Sequence, residues 1–546
     1  MKRMTMVLTI MLAVITGGYA QFGGGTGTDI DPYQIKTVAH LKELADSVNG
    51  GKGYIGEYFK LINDLDLNVA PYNTGAGWVP IGIYYNNSFK GNFDGNGKKI
   101  SNLFIDAAAR EGVGLFDFVD GATIANLGIE NVDVTGRNYV GGLAGRAYYG
   151  NISNCYVTGE VSGDSYTAGV VGYISYNPIS NCYYTGKVSG VYSPIGGIVG
   201  CASNSTVNSC YSIGEIIGGS YAGGIVGEVN NNCTISNCYS TSKVSGTNTI
   251  GGVVGMAIYN CTVSNCYSTG EVRSESGPIG GLVGFLAGYS TVSNCAALNP
   301  SVKAIGSGIG RVVGILSGTN TLSNNIAYDN MLNNADTTDW ANKGANQQDG
   351  LDISKEDINA DSTLGGRFAS PIWATAVCYL PGFGVPVDMP VYLQLAGAPA
   401  ISTLSLPNGK VGTAYNQTIT SIGDPIIVYN ISNGVLPTGL SLNAATGVIS
   451  GMPSLGGEFT FSVRASNSLG AVSKEYTVEI ATPVTQITGV PTSTDINTLL
   501  ELTATVVPST ADYQDIVWTV ENVGSTNAVI VCNTYFFAKN IGTARN

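Results

Sequence analysis

The stretch Gly251-Gly-Val-Val-Gly255 decides the fold, because close copies of it recur through the middle of the chain. The copies begin at Gly141, Ala168, Gly196, Gly223, Gly251 and Gly280. Successive starts are therefore separated by 27, 28, 27, 28 and 29 residues. A period of roughly 20–50 residues is the signature of a repeat architecture, in which one supersecondary unit stacks on the next.

A second motif, Asn154-Cys155-Tyr156, keeps the same step. Its asparagine column consists of Asn154, Asn181, Asn237, Asn265 and Asn294, with Ser209 in one copy. Its cysteine column consists of Cys155, Cys182, Cys210, Cys238, Cys266 and Cys295. Its tyrosine column consists of Tyr156, Tyr183, Tyr211, Tyr239 and Tyr267. Two independent motifs with one period are hard to explain by chance.

Each repeat consists of short β-branched or apolar runs cut by Gly and Asn, as in Thr234-Ile-Ser-Asn-Cys-Tyr-Ser-Thr241. The period is too short for a helix pair, and the runs lack helical patterning. Such a unit buries an apolar face only when it stacks on its neighbours. We therefore predict an all-β fold, a parallel β-helix (solenoid) of about nine coils spaced about 4.8 Å apart. A β-propeller is the alternative, although its blades usually need longer periods.

The charged position of each repeat supports this register. It is occupied in turn by Glu160, Lys187, Glu215, Lys243 and Glu271, so the sign alternates at every step. In an in-register parallel stack, opposite charges then become neighbours.

Stacking gives each column of the second motif a predicted place. The cysteine column is predicted to be core, since Leu103 and Leu127 occupy it in the first coils. The asparagine column is predicted to point inward at a turn, with each amide bonding the next coil. The tyrosine column then faces outward and is the candidate contact surface for sugars or a partner protein. The alternative is that these tyrosines only favour strands and shield the backbone.

The chain has eleven cysteines, an odd number. Residues stacked at about 4.8 Å have β-carbons farther apart than the roughly 3.8 Å that a disulfide prefers. We therefore predict buried free thiols rather than a disulfide framework. The single histidine and the lack of any Cys-x-x-Cys pair argue against a zinc site.

The first twenty residues have the pattern of a signal peptide. Lys2 and Arg3 precede the apolar stretch Met6–Ile15, and small residues at Gly18 and Ala20 suit cleavage. We predict no membrane span after this segment, and an extracellular or cell-surface location. The net charge of -13 argues against a nucleic-acid partner.

The sequence predicts six regions along the chain. A capping helix from Thr37 to Val48 is expected in the second, because apolar residues recur there at helical spacing. In order, the regions are the signal peptide 1–20, an N-terminal cap with the first coils 21–110, the repeats 111–330, a C-terminal cap or connector 331–397, an Ig-like β-sandwich 398–482, and a short Ig-like module 483–546.

The repeats, with Gly280-Gly-Leu-Val-Gly284 and the entry segment Phe89-Lys-Gly-Asn-Phe93, resemble the GLUG motif family of bacterial surface proteins. Ala445-Thr-Gly-Val-Ile-Ser-Gly-Met-Pro453 resembles an Ig, cadherin-like module, and Ala504-Thr-Val-Val-Pro-Ser509 a bacterial Ig-like group-two module that is cut short. These resemblances imply a surface location, and they imply no activity for the repeats.

Two functions follow from these predictions. The first is a non-enzymatic, adhesin-like surface protein whose β-helix contacts host or environmental glycans or proteins. The second is a polysaccharide-degrading β-helix enzyme, or an accessory region of a larger surface protease or adhesin. Catalysis would need clustered carboxylates, and the candidates are Asp64, Asp66, Asp94, Asp117 and Asp120.

Two further residue sets bear on chemistry. His40 is the only histidine, lies in the predicted helix, and leaves no second histidine for a His-Glu-x-x-His site. The oxygen-rich stretch from Asp336 to Asp361 is a candidate calcium site, although it has neither EF-hand nor nonapeptide spacing. No other cofactor is predicted.

Overall fold

The structure is a computed structural model that describes residues 22–490 except 377, 396, 424 and 425. In the C-terminal tail it also describes residues 499–509, 511–512, 516, 529–531 and 535–537. The predicted signal peptide 1–20 and Cys532 lie outside the described residues. The chain divides into two units. The first comprises the chain up to Thr375 together with the segment Pro381–Val385. The second comprises the intervening segment Ala376–Leu380 and the chain from Pro386 onward.

The first unit is a parallel β-solenoid of about 11 turns, which confirms the predicted fold class and exceeds the nine predicted coils. Its first sheet has 30 strands and its second sheet has 8, and the strand pairs within both are parallel. The second-sheet strands are Phe116–Asp120, Ala144–Tyr148, Val171–Ser175, Val199–Ser203, Val226–Asn230, Val254–Ile258, Val283–Ala287 and Val313–Ser317.

The first sheet supplies the remaining sides of each coil. Its strands are Tyr33–Ile35, Tyr58–Leu61, Leu65–Asp66, Asn92–Ser101, Phe104–Asp106, Glu111–Val113, Thr123–Thr135, Asn138–Gly141, Asn151–Ser153, Tyr156–Gly163, Ser165–Ala168, Ile179–Ser180, Tyr183–Gly190, Ile195–Gly196, Thr206–Asn208, Tyr211–Gly223, Thr234–Ser236, Tyr239–Ser240, Lys243–Gly251, Thr262–Ser264, Tyr267–Ser268, Val272–Ser274, Ile279–Gly280, Thr291–Ser293, Ala296–Ala297, Val302–Ala304, Ile309–Gly310, Thr321–Ser323, Ile326–Tyr328 and Leu351–Ile353.

Equivalent residues of successive repeats pair directly, so the predicted register is confirmed. Glu160 lies opposite Lys187, Lys187 opposite Glu215, and Glu215 opposite Lys243. The Lys243 Nζ lies 3.9 Å from a carboxylate oxygen of Glu271. The alternation of charge along the sequence therefore corresponds to pairing of opposite charges between neighbouring coils.

The glycine motif marks a corner that is too tight for a side chain. A Cβ on Gly251 would lie 2.0 Å from the Val254 carbonyl oxygen, and Gly223 would clash in the same way with Val226. The residues between and after these glycines are fully buried, as Val253 and Val254 are. The motif thus turns the chain and at once fills the core with β-branched side chains.

The predicted N-terminal helix is present as Val38–Asn49. Its N-cap Thr37 accepts a hydrogen bond from the His40 backbone N–H, which satisfies one of the free donors of the first turn. Its apolar face, Leu41, Leu44, Ala45 and Val48, is buried.

Near the other end of the solenoid, Arg311 takes the place that Gly281 has in the preceding repeat. Its guanidinium is fully buried, lies 2.7 Å from an Asp352 carboxylate oxygen, and donates to the Tyr328 and Gly350 carbonyls. Asp352 belongs to the strand Leu351–Ile353, which pairs with the last coil. A short helix, Lys355–Ala360, follows. The regular repeat thus ends where Arg311 bonds the last coil to the closing segment around Asp352.

The second unit contains an Ig-like arrangement of two sheets, antiparallel except where Gly409–Lys410 pairs in parallel with Gly470–Ala481. A four-stranded sheet contains Gly409–Lys410, Val428–Gly434, Gly457–Asn467 and Gly470–Ala481, and a three-stranded sheet contains Tyr415–Thr418, Leu440–Leu442 and Val448–Gly451. Phe461, Val463, Tyr476, Val478 and Ile449 form its core with their neighbours.

Short strands complete the described part of the second unit. Tyr379–Leu380 pairs with Val387–Asp388, Ala400–Ile401 with Ser421–Ile422, Gln486–Thr488 with Thr505–Val507, and Tyr535–Phe537 with both Leu499–Glu501 and Val529–Val531. Two 3-10 turns, Tyr85–Asn87 and Val391–Leu393, lie in the first and second units respectively. Across the described residues, no helix is both long and apolar enough to cross a bilayer.

Candidate functional site

The asparagine column lies at a surface corner of each coil, so the predicted inward orientation is wrong. The backbone adopts positive φ there, 53° at Asn154 and at Asn181, a conformation that asparagine tolerates better than most residues. The cysteine that follows takes the inward position, which leaves the amide outside. The amides still bond from coil to coil: Asn154 donates to Asn126 at 3.1 Å, Asn181 to Asn154 at 3.2 Å, Asn237 to Asn208 at 2.8 Å, Asn265 to Asn237 at 3.3 Å, and Asn324 to Asn294 at 2.7 Å.

The six cysteines of the motif form a buried column of free thiols. Each thiol donates to the backbone carbonyl two residues earlier, as Cys155 does to Ser153 and Cys266 to Ser264. Burial raises the pKa of the Cys182 thiol well above its ordinary value. All six side chains are buried and bond backbone carbonyls, so this column belongs to the core and not to a site.

The five tyrosines of the motif, which we call the tyrosine file, stack face to face along the solenoid. Ring centroids are 4.8 Å apart between Tyr156 and Tyr183, and 5.1 Å apart between Tyr239 and Tyr267, with planes within 4° of parallel. Within the file, each ring therefore covers the face of the next. The N-terminal ring, Tyr156, lies over Gly128, where a Cβ would be only 2.3 Å from it.

The closing segment of the solenoid covers the C-terminal end of the tyrosine file. The Trp373 ring lies 6.0 Å from Tyr267 and Phe383 lies 5.4 Å from Tyr239. The Tyr267 hydroxyl donates to the Pro381 carbonyl at 2.6 Å. Tyr239 and Tyr267 are consequently buried, so the prediction that the whole column forms an exposed contact surface is wrong for these two residues. Tyr183 and Tyr211 are partly exposed, but the faces of their rings are covered by the neighbouring tyrosines of the file.

A second group of rings, which the sequence analysis missed, lies on the second sheet, on two adjoining strands of the first sheet and on the turns beside them. We call this group the aromatic surface. Each of its rings contacts at least one other, as in the stacked pairs Phe118–Tyr148 at 5.0 Å and Tyr139–Tyr166 at 4.7 Å. Its members are Tyr85, Phe118, Tyr139, Tyr148, Tyr149, Tyr166, Tyr173 and Tyr176.

The rings of the aromatic surface differ in depth. Phe118 is buried, and burial raises the pKa of Tyr173 to about 12. Tyr149 and Tyr176, by contrast, are 64% and 54% exposed. The group therefore has a fixed base and an accessible rim, which is the arrangement of a pre-organised binding surface.

A buried ion pair anchors the base of the aromatic surface. The Arg146 guanidinium donates to Asp117 at 2.7 Å and lies about 5 Å above the rings of Phe118 and Tyr139. Gly112 makes room, since a Cβ there would overlap the Asp117 carboxylate. Burial raises the pKa of Asp117 above its ordinary value, against the opposing effect of Arg146. Arg110 lies 3.7 Å from the second Asp117 oxygen, so the carboxylate is held between two guanidinium groups beneath the rings.

Each of the five candidate carboxylates bonds other groups of the protein. Asp66 accepts from Asn102 and Asp94 from Asn126, both within the amide ladder, and Asp64 accepts from the Lys99 backbone N–H. Asp117 bonds Arg146, and Asp120 lies 2.9 Å from Lys90.

A groove of about 380 Å³ lies beside Asp94, lined in part by Asp29, Tyr58 and Lys60. Asp94 itself is held by the Asn96 backbone and the Asn126 amide. His40 lies on the capping helix and accepts from the Lys36 backbone N–H.

The candidate calcium stretch uses its carboxylates for structure. Asp336 bonds Lys303, Asp352 bonds Arg311 and Lys343, and Asp349 accepts from two backbone N–H groups. Asp361 accepts from Thr363 and Gly365. Over the described residues, no group of three or more His, Cys, Asp or Glu side chains is placed to hold a metal ion.

Comparisons with known proteins agree with the repeat motif. A family model described as "The GLUG motif" matches residues 136–162 and 218–245. A model described as "Putative Ig domain" matches residues 398–481, within the Ig-like sandwich. The predicted resemblances of the GLUG repeats and of the sandwich are therefore confirmed.

The chain also has relatives among curated proteins. A "Putative Gly-rich membrane protein" of Evansella cellulosilytica is 36% identical over 140 residues, 25% of this chain and 15% of the relative. Halomucin of Haloquadratum walsbyi is 34% identical over 150 residues, 27% of this chain and 2% of the relative. The chain thus spans only a small part of these relatives.

Among solved structures, an IgA1 protease is 17% identical, with a TM-score of 0.35 over 54% of this chain and 21% of that one. A likeness of that size says nothing about activity.

Proposed function

We propose that this protein is an exported, non-catalytic surface protein that binds an extracellular partner through the aromatic surface of its solenoid. The observation that carries the proposal is the group of eight connected rings, with a buried base and the exposed rim Tyr149 and Tyr176. Aromatic side chains bury much area for little conformational entropy, and tyrosine adds a hydroxyl for hydrogen bonding.

The packing of the solenoid supports a contact on its outside. The interior is filled by buried side chains such as Val161, Val188 and Ile216, which face one another from coil to coil. A ligand must therefore meet the outer surface. The relatives of this chain include a "Putative Gly-rich membrane protein" and Halomucin, names that suit display at a cell surface.

The non-catalytic part of the proposal rests on the partners of the candidate carboxylates. Asp66 and Asp94 belong to the amide ladder, and Asp117 and Asp120 are paired with Arg146 and Lys90. A general acid and a nucleophile must both reach the substrate. These four groups instead bond the protein itself.

The full-length chain and two double variants test the proposal. Tyr148→Ala with Tyr173→Ala removes the centre of the aromatic surface, while Tyr259→Ala with Tyr289→Ala removes two exposed tyrosines of later coils as a matched control. Binding is measured on an array of glycans and extracellular proteins. We expect the first variant to lose at least tenfold in affinity and the control to equal wild type.

Three results would overturn the proposal: equal binding by both variants, release of soluble sugars from any polysaccharide, or retention of the expressed chain inside the cell. The last is measured by protease accessibility in a bacterial host that expresses the full sequence. Circular dichroism melting of each variant separates loss of binding from loss of folding.

A further inference from the structure

One corner of the solenoid recurs in eight successive coils, and we call its residues the corner file. The register places them one residue after the paired strand ends of the second sheet, as with Tyr148 and Ser175. All have positive φ, from 47° to 75°. The corner file is Gly121, Tyr149, Tyr176, Asn204, Asn231, Tyr259, Gly288 and Gly318.

Glycine and asparagine are the residues that adopt this conformation most readily, and five coils use them. A bulky residue at positive φ is unusual. Tyr149 and Tyr176 therefore do not improve the turn. Their rings instead stack on each other at 5.4 Å with planes 10° apart, and both remain more than half exposed.

The coil before Tyr149 has Gly121 at the corner, and the space above it is open. A Cβ on Gly121 would have no heavy atom within 4 Å. The ring pair thus ends beside a gap that no side chain fills. Asp120, the residue before Gly121, forms a partly exposed ion pair with Lys90 at 2.9 Å, and this pair offers both a donor and an acceptor.

The charges around the corner are paired, and Arg110, 3.7 Å from Asp117, shares that carboxylate with Arg146. Lys90 pairs with Asp120, Arg146 with Asp117, and Arg137 with Glu111. A surface with paired charges attracts an anionic ligand only weakly, and the net charge of -13 opposes one. The ligand that fits is uncharged, flat on one face, and rich in hydroxyl groups.

A sugar ring has these properties, because its C–H face packs on an aromatic ring while its hydroxyls bond the flanking polar groups. A protein partner fits less well. Its anchor residues prefer fully desolvated pockets, whereas this corner is open. We propose that the Gly121–Tyr149–Tyr176 corner is a subsite for an uncharged polysaccharide, an inference that rests on the proposed function and specifies its ligand.

Filling the gap tests the subsite without removing a ring. Gly121→Asn places a side chain in the gap, and asparagine accepts the left-handed corner, as Asn204 shows with φ 47°. Tyr149→Ala removes the platform. Tyr289→Ala is the control, since this tyrosine has φ 63° and is 73% exposed in a distant coil. The full-length chain is mixed with insoluble cellulose, xylan, mannan and β-1,3-glucan, and with polygalacturonate as the acidic comparison.

We expect wild type and Tyr289→Ala to bind at least one uncharged polysaccharide, and Gly121→Asn and Tyr149→Ala to bind it at least tenfold more weakly with unchanged melting temperature. Equal binding by all four chains would overturn the subsite but not the proposed function. Binding only to polygalacturonate or to proteins would do the same. If neither polysaccharides nor proteins bind, both proposals fail.

Discussion

The tyrosine file and the aromatic surface are both built by stacking tyrosines from coil to coil, yet they differ in how much ring surface a ligand can reach. In the tyrosine file the stack runs through five repeats, so its rings cover each other and its end is covered by Trp373. On the aromatic surface the exposed stack is only two rings long, Tyr149 and Tyr176. In a long stack the ring faces pack against each other and stabilise the solenoid. In a stack of two rings, the outer faces remain free for a ligand.

Two glycines show the same difference. Gly128 lies one coil before Tyr156, and the ring fills the space where a Cβ would be. Gly121 lies one coil before Tyr149, and its corresponding space is open. The first glycine is needed for packing, and the second leaves a gap. This pair makes the comparison open to experiment.

The largest effect is expected at the cover of the tyrosine file. Trp373→Ala should destabilise the solenoid by about 3–5 kcal/mol, because a buried aromatic ring is replaced by a cavity next to Tyr239 and Tyr267. Urea unfolding followed by tyrosine fluorescence measures this change. A loss under 1 kcal/mol would mean that the segment around Trp373 does not cover the file.

Adding a side chain at each position should separate the two glycines. Gly128→Ala forces the Tyr156 ring away and should cost about 1–3 kcal/mol. Gly121→Asn should change stability by no more than about 0.5 kcal/mol, since the space is open and the residue suits the corner. Thermal melting of both variants gives the answer, and equal destabilisation would remove the distinction drawn here.

The tyrosine file should also make the solenoid sensitive to alkali. Burial raises the pKa of Tyr211 above its ordinary value of 10. The folded state therefore keeps its proton where the unfolded chain loses it, and stability is full below pH 10 and falls above it. Tyr211→Phe keeps the stacked ring and should recover about 1 kcal/mol at pH 11. Denaturation midpoints should coincide at pH 7, and identical pH profiles for the two chains would contradict the prediction.

The smallest effect is expected in the charge column, which is exposed and has no aromatic packing. Lys187→Glu places three acids in consecutive coils with Glu160 and Glu215. Like charges in neighbouring strands should cost about 0.5 kcal/mol, and added salt should reduce the loss. A salt-independent change would show that coil-to-coil charge contacts are not its source.

The repeat fold could be predicted because the residues that produce it recur in every repeat. Stacking depends on apolar, glycine and cysteine positions that recur at one period, as at Gly251, Val254 and Cys266, so six copies reveal what one copy would not. The capping helix was predictable for a similar reason, since Thr37 and the apolar spacing after it are local signals.

The candidate site was predicted less well. A signal existed for the aromatic surface, because Tyr139, Tyr166, Tyr149 and Tyr176 recur at the repeat step of 27 residues. Those pairs are only two coils long, and the tyrosine column of five repeats is the stronger periodic signal. The cover on Tyr239 and Tyr267 comes from residues more than 100 positions away, which no local pattern indicates.

By itself, the sequence determined the parallel solenoid, its register and its buried thiols, because equivalent residues one period apart must become neighbours. Only the tertiary structure decided which tyrosine faces remain free, which carboxylates are already paired, and that the asparagine column lies outside. Those properties depend on contacts between different sides of a coil and with the closing segment, and such contacts are set by packing in space rather than by spacing along the chain.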